Sequence, residues 1–590
     1  MTWKPDNLTP KPDAQSASNT THTPRSADQL IVHSAERAQT GRPADGGRVI
    51  IVANRGPVNF ERDAETGALV GEPGAGGVVS GLLAATRGRK VTWIALAMTD
   101  ADREFAQIYA GKPAPTLQDY PNVALRLVDA PKDIYQRSYD GISNRVLWFT
   151  QHYLLQPGVS PVNARAMADW EEGYVAVNEL VAHATLTELQ LIGERTPVLF
   201  QDYHLYLAPS MVRESLPLAR LAHFVHIPWP EPRYWELLPE TMTHDIFAGL
   251  AANDVVGFQT ERDAHNFLDG ARRFLPDTDL LARPSGDGAA SHIPEAGTLL
   301  VEGRRMSARA YPIAATPAEV FAQANGHASP ETDELLSQAR PTPDHKIILR
   351  VDRVEPTKNI ITGFRAFERL LTEHKRLRER VTFVALLVPS RQGLPEYRAV
   401  MRETREIIER INARFSTPNW RPIIALFGND RGRALAMMRE YDALLVNPLI
   451  DGMNLVVKEA ALVNERAGVV VLSRTAGAYE QIGQYVLGVP PTDVNAIANA
   501  LYDALTMPRR QRQALATELV GSLMRESAAR WLDAQVRDLL AQTNRPRLPV
   551  KSGAGAWLAS PAREESDDEE PALTLKTRAG GEREERASIS

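Results

Sequence analysis

The 590-residue chain contains no cysteine, which excludes disulfides, thiolate-held metals and a cysteine nucleophile. It also lacks an excess of positive charge. Lys and Arg total 67 against 73 Asp and Glu, a net charge of −6. Nothing therefore draws the chain as a whole to nucleic acid or an anionic membrane, and phosphate recognition has to be local. The N-terminus, Met1-Thr2-Trp3-Lys4-Pro5-Asp6, has no apolar signal core, and no apolar run approaches the ~18 residues that span a bilayer. No internal repeat of about 20 to 50 residues is present. These absences, with the reducing compartment that a cysteine-free chain suits, lead us to expect a soluble cytoplasmic protein without membrane or nucleic-acid partners.

At ~100–200 residues per domain, the length calls for two or three cores. Residues 1–46, rich in Ser, Thr, Pro and Ala, and 546–590, with the acidic run Glu564-Glu565-Ser566-Asp567-Asp568-Glu569-Glu570, have too little to bury and read as disordered tails. Between them, short β-branched runs alternate with amphipathic stretches, the pattern of parallel sheets crossed by helices. Strands are expected at Arg48–Ala53, Val91–Leu96, Val198–Gln201, Ala222–Ile227 and Asp254–Phe258, then at Lys346–Val351, Val381–Val388, Ile423–Phe427, Asp442–Val446 and Gly468–Leu472. A polar insertion (283–297) and a hairpin (298–312) follow the first set. The expectation is an α/β chain of two Rossmann-like doubly wound domains, 47–315 and 344–495, joined by a linker at 316–343. Helices at 496–545, including Arg510–Leu540, cap the second domain and cross back to the first.

Ligands of doubly wound sheets bind at the C-terminal ends of the strands, so residues just past the strands carry most weight. Asp451-Gly452-Met453-Asn454-Leu455 leads into Val456-Val457-Lys458-Glu459. A turn then opens a helix near Asn454, whose free N–H groups and dipole attract phosphate oxygens. Asp451 and Glu459 lie roughly 12 Å apart if the segment is helical, about the span from sugar to ribose in a nucleotide sugar. Arg353 and Lys358 bracket the turn after the Lys346–Val351 strand, and Ser390-Arg391 follows the next one; such cations neutralise a departing diphosphate. In the first half, Asn54-Arg55, the Gly74-Ala75-Gly76-Gly77 turn, Asp202-Tyr203-His204 and His226-Ile227-Pro228-Trp229-Pro230 follow strands. Tyr139 and Trp148 can pack on a sugar face or in a core. Each feature taken singly is also what an ordinary strand end or solvated cation looks like.

Together with Gly257-Phe258-Gln259-Thr260, these motifs stand in the order seen in the trehalose-6-phosphate synthase family (family GT20), which the chain resembles over roughly residues 48–540. The resemblance implies the GT-B architecture: two domains facing across a cleft, and glucose transfer from UDP- or GDP-glucose to glucose 6-phosphate with retention. It implies catalytic roles for Arg353, Lys358, Asp202 and His226. It implies donor contacts from Gly77, Asp451, Asn454, Leu455, Glu459, Arg353 and Lys358. Acceptor contacts would come from Arg55, Tyr139, Trp148, Asp202 and Arg391. It implies no metal, no cofactor beyond the nucleotide sugar as substrate, and a possible homo-oligomer. The pattern departs in places: Arg-Leu-Asp-Tyr-x-Lys-Gly appears as Arg353-Val354-Glu355-Pro356-Thr357-Lys358-Asn359, and Trp229 and Phe149 replace Phe and Pro. Those departures leave open the donor base, a cyclitol-phosphate or glycerol-type acceptor, and a silent sugar-phosphate sensor on the same fold. Retention of Arg55, Tyr139 and Arg391 favours glucose 6-phosphate. Nothing after residue 548 is expected to form a phosphatase domain.

Overall fold

The computed structural model describes residues 47–62, 69–73, 77–115, 120–155, 160–276, 278–281, 295–324 and 329–543. The expected tails, and residues 283–294 of the expected insertion, lie outside the described residues.

In chain order, the first-half strands are β1 (Val49–Val52), β2 (Val58–Arg62), β3 (Leu69–Pro73), β4 (Val91–Leu96), β5 (Ala114–Pro115), β6 (Val123–Val128), β7 (Val198–Gln201), β8 (Leu221–Phe224), β9 (Val255–Phe258), β10 (Thr278–Leu281), β11 (Glu295–Val301) and β12 (Arg304–Ala310). The second half carries β13 (Lys346–Val354), β14 (Val381–Pro389), β15 (Ile423–Phe427), β16 (Ala443–Val446), β17 (Val469–Ser473) and β18 (Leu487–Val489). Among the described residues, these form a ten-stranded sheet ordered β10-β11-β12-β9-β8-β7-β1-β4-β6-β5, a six-stranded sheet ordered β15-β14-β13-β16-β17-β18, and the β2–β3 hairpin. The run from β12 to β6 is parallel, with antiparallel strands at its edges. The second sheet is parallel throughout.

Each sheet starts at its centre, winds outward, and then reverses: β1 to β4 to β6 and back to β7, β8, β9; β13 to β14 to β15 and back to β16, β17, β18. That is the doubly wound order, and the reversal beside β1 and beside β13 opens a crevice at the strand ends. The central strands are apolar and covered on both faces, as parallel strands under helices must be: β1 reads Val-Ile-Ile-Val and is buried throughout, and β4 and β16 are likewise buried along their length.

The expected strands are all present, with boundaries shifted by up to three residues. The largest shift is instructive. β13 runs three residues past Val351, still paired with β14 at Asp352↔Leu387, Arg353↔Val388 and Val354↔Pro389. Polar residues do not end the strand here because Arg350 Nε and Asp352 Oδ2 pair at 3.7 Å in the interior and Val354 is fully buried. β6 escaped the sequence reading because its buried residues alternate with half-buried ones, including Arg126. The hairpin begins slightly earlier than expected. Its two-residue turn, Glu302-Gly303, has φ of +47° and +74°, the left-handed pair that matches strand twist. The stretch 316–343 holds helices Pro317–Ala324 and Pro330–Ala339.

The expected Arg510–Leu540 helix is two helices, Arg509–Leu523 and Ala528–Thr543. The break places Glu526 against Lys458, whose fully buried ammonium donates to both Glu526 oxygens at 3.0 and 2.8 Å, to Gln481 at 2.6 Å and to the Ile313 carbonyl at 3.0 Å. A buried ammonium is tolerable only with such partners. The last helix then lies on the first sheet: Trp531 packs edge-on to Phe224 and donates to the Tyr311 carbonyl, and Asp538 accepts from Arg309 and Tyr311.

Candidate active site

The strand-end residues singled out in the sequence fall into three groups, and loops of the two sheets meet between them. A Cβ on Gly452 would stand 2.2 Å from the His226 carbonyl, so the Asp451-Gly452 turn of the second sheet lies directly against the His226 loop of the first. Glycine is required there by close approach of backbone to backbone.

The first group is the turn after β13. A short 3-10 turn, Pro356–Lys358, is followed by Asn359 at φ +54°, from which the Ile360–Glu373 helix begins. Lys358 Nζ lies 2.5 Å from Asp451 Oδ2. Burial works against both charges, yet the pairing outweighs it: the Lys358 pKa lies above its ordinary value, helped by Asp451 and Asp352, and that of Asp451 lies below its own. Asp451 also accepts from Asn454 Nδ2 at 3.1 Å. Asn454 is the N-cap of the Leu455–Val463 helix, held at φ +82°, with its Oδ1 receiving the Val457 N–H. Arg353 is half exposed and pairs at 3.0 Å with fully buried Glu355, which also accepts from Ser390 Oγ. Glu459, one turn into the helix, is held by Arg431 through two hydrogen bonds of 3.2 and 3.0 Å.

The second group joins both sheets. Arg391, in the left-handed region at φ +43°, extends from β14 across to the first sheet's loops. Its Nη2 donates to Tyr203 Oη at 3.0 Å, its Nη1 to Tyr397 Oη at 2.6 Å, and its guanidinium lies 4.2 Å from the Trp148 ring centre. These contacts fix a planar cation over an aromatic face. Trp148 stacks on His152 at 4.0 Å and keeps a buried indole N–H without a partner. Arg55 donates to Tyr139 Oη at 3.3 Å. Burial raises the Tyr139 pKa, but Arg55 and Arg391 outweigh it and hold the phenol below its usual value. Tyr139 lies in an unusual π-helical stretch, Arg137–Leu147, directly before Trp148. Such segments concentrate at functional sites because the wider turn re-aims side chains.

The third group is Asp202 with His226. Asp202 sits past β7 at φ +68° and accepts the His226 N–H at 3.2 Å. Burial pushes its carboxyl up to about 7 against those backbone donors and Arg391. His226 is kept neutral by burial, its pKa lowered to about 3. Its Nε2 meets Gln201 Oε1 at 2.9 Å, leaving Nδ1 buried and unpartnered, an acceptor facing no protein donor. Gly77 opens the Gly77–Ala85 helix; Gly74-Ala75-Gly76 lie outside the described residues.

Sequence reasoning passed over Glu355, Arg431, Tyr203 and Tyr397. Arg431 was findable by the rule used for the other cations, since it opens the helix after β15. Glu355 and Tyr203 stood inside quoted motifs without a role. Tyr397 has no signal of its own, because it reaches the site from the interior of the Pro395–Phe415 helix. Among the described residues, no three His, Asp or Glu side chains are grouped to hold a metal, and no helix is long and apolar enough to cross a membrane.

Set beside known proteins, residues 47–541 match the model of glycosyltransferase family 20. A trehalose-6-phosphate synthase of Sinorhizobium fredii is 30% identical over 509 residues, 84% of this chain and 99% of that protein. A bifunctional trehalose-6-phosphate synthase/phosphatase of Thermoproteus tenax is 29% identical over 82% of this chain, which spans 62% of that longer protein. Two solved structures are similar throughout. One, from E. coli, is described as trehalose-6-phosphate bound with UDP-2-fluoro glucose (TM-score 0.70, 26% identity, 85% of this chain and 100% of that one). The other is an alpha,alpha-trehalose-phosphate synthase (UDP-forming) of Burkholderia xenovorans in complex with glucose-6-phosphate (TM-score 0.69, 29% identity, 84% and 100%).

Proposed function

The chain belongs to glycosyltransferase family 20, and on that premise we propose that it transfers glucose from UDP-glucose to glucose 6-phosphate, giving trehalose 6-phosphate and UDP. The observation that carries this reading is the convergence of two cation sets in one crevice: Arg353 and Lys358 on the second sheet's turn, and Arg391 with Arg55 around Tyr139, Tyr203 and Trp148. One set suits a diphosphate and the other a phosphate monoester.

In this reading Arg353 and Lys358 hold the donor diphosphate together with the helix-start amides at Asn454-Leu455 and at Gly77. Glu459, oriented by Arg431, binds the ribose hydroxyls. When the diphosphate enters, the Lys358 ammonium leaves Asp451 for a phosphate oxygen, and the freed carboxylate accepts a donor-sugar hydroxyl. His226 Nδ1 accepts another. Arg55, Tyr139 and Arg391 hold the acceptor phosphate, while Trp148 and Asp202 position its ring. The donor C1–O bond to the diphosphate breaks as the acceptor's anomeric oxygen bonds to C1 on the same face, and the acceptor proton passes to the departing phosphate oxygen. No side chain acts as a covalent nucleophile. Catalysis is positioning plus stabilisation of leaving-group charge. Because Arg391 reaches the acceptor group from the second sheet, acceptor binding draws on both lobes and favours closure. The domain bounds 47–315 and 344–495, with the helices 496–545 crossing back, are proposed as the moving bodies, and the protein is placed in the cytoplasm.

The test is a matrix of donors (UDP-, GDP- and ADP-glucose) against acceptors (glucose 6-phosphate, a cyclitol phosphate, glycerol 3-phosphate), read by nucleoside diphosphate release and product mass. Release with UDP-glucose and glucose 6-phosphate is expected. Ligand-induced thermal stabilisation with no release from any pair would instead mark a sensor.

A pH prediction follows from Asp202. If its carboxylate accepts an acceptor hydroxyl, kcat/KM falls as pH drops below about 7, where the buried group takes up its proton. Asp202→Asn should remove that limb and leave the one due to the substrate phosphate, near pH ~6. The same shift acts on folding. Between the ordinary value of 3.8 and about 7 the native state binds a proton the unfolded chain does not, so stability falls as pH rises through that window. Urea denaturation of the Asn variant should show a flatter dependence there.

A further inference from the structure

We propose that Glu355, on the turn that carries the donor-side cations, is the positioning residue of the acceptor-side cation Arg391. The inference rests on the donor and acceptor assignments above and adds a link between them.

The link is visible in the strand register. β13 and β14 pair as far as Val354↔Pro389, and the next residues, Glu355 and Ser390, extend the contact by one rung through their side chains: Ser390 Oγ donates to Glu355 Oε1 at 2.9 Å. Arg353 Nη1 lies 3.0 Å from the same oxygen. Glu355 is fully buried and its second oxygen has no partner among the described residues. A buried carboxylate is costly unless opposing charge surrounds it. Burial raises its pKa, but Arg353, Arg391 and Lys358 outweigh that and keep it ionised. One carboxylate is thus shared by the cations of both half-sites.

Ser390 matters because of the residue that follows. Arg391 is not glycine, yet its backbone is in the left-handed region at φ +43°. Such a conformation persists only where neighbours hold the chain in place. On its C-terminal side the turn is closed by the Leu394 N–H donating to the Arg391 carbonyl at 2.9 Å. On its N-terminal side the Ser390 hydroxyl is tied to Glu355. Cutting that tie lets the turn relax, and the guanidinium loses its position over Trp148 and beside Tyr203. An aspartate at 355 would be one methylene shorter. It would keep the charge facing Arg353 and fall short of Ser390.

Three variants separate this from a merely structural role. Calorimetric titration with UDP, and with glucose 6-phosphate in the presence of UDP, gives both dissociation constants, alongside melting temperature. For Ser390→Ala and for Glu355→Asp, glucose 6-phosphate should bind about tenfold more weakly, the scale of one lost hydrogen bond to a charged group, with UDP affinity held. Glu355→Gln should weaken both ligands, since Arg353 also loses its partner. Should the Gln variant fail to fold, the other two carry the test. Folded Ser390→Ala and Glu355→Asp proteins that bind glucose 6-phosphate as tightly as the parent would overturn the inference. A parent protein that binds neither UDP nor glucose 6-phosphate would overturn the reading on which it rests.

Discussion

Lys358→Ala is expected to lower kcat by about 10²–10³-fold, the range seen when one preorganised donor is removed from developing negative charge. The ammonium lies 2.5 Å from Asp451 in the free protein, so the variant strands a carboxylate that is only slightly exposed. That costs about 1–3 kcal/mol of folding stability, which complicates a simple reading of lost activity. The double variant Lys358→Ala/Asp451→Asn resolves it. Neutralising the stranded carboxylate should restore much of the melting temperature and none of the turnover. Steady-state rates and thermal unfolding on the three proteins provide the comparison, and normal turnover in the single variant would remove Lys358 from the mechanism. The donor KM should move less than kcat, because Arg353 and the helix-start amides still bind the ground-state diphosphate.

Arg391→Ala should raise the KM for glucose 6-phosphate by about 10²-fold, since truncating one member of a buried charged contact costs about 2–5 kcal/mol. The donor KM should change by much less. Arg391→Lys keeps the charge, but a point charge cannot reproduce the fork that joins Tyr203 and Tyr397 or the planar contact over Trp148. It should recover only part of the loss. Inorganic phosphate offers an independent readout: as a competitive inhibitor against glucose 6-phosphate it should weaken in parallel with the acceptor KM. If the acceptor KM were unchanged and the donor KM rose, Arg391 would belong to the diphosphate and the two half-sites would have to be redrawn.

The fold was legible because buried parallel strands are written as continuous apolar runs; Val-Ile-Ile-Val at β1 and Ala-Leu-Leu-Val at β16 admit few other readings. β6 was not legible, since Arg126 interrupts its apolar run and its neutraliser, Glu188, comes from a helix 62 residues later. The end of β13 was misjudged for a related reason: the cost of burying Arg350 and Asp352 is offset by a contact between the two, and a window of sequence shows two charges but not their pairing. The break before Ala528 has no strong signal either, because Glu526 is placed by Lys458, a partner far away in the chain.

The candidate site was legible as a set of strand-end residues and less so as a geometry. Lys358 and Asp451 were both named, and their pairing followed from the topology that puts β13 next to β16. Arg391 was named, but its aim depends on a left-handed backbone angle that no residue type other than glycine announces. Glu355 was quoted and passed over. Its importance comes from what surrounds it in space, two cations and a serine from a neighbouring strand, none of which its local sequence reveals.

The central claim is that one crevice brings the anomeric carbon of a UDP-bound glucose against the anomeric hydroxyl of glucose 6-phosphate. Proton NMR of the product formed from these two substrates tests it most directly. The account predicts a non-reducing disaccharide phosphate with both anomeric centres in the α configuration, formed in a 1:1 ratio with UDP. A product that keeps a free reducing end, or that carries an inverted donor centre, would contradict it.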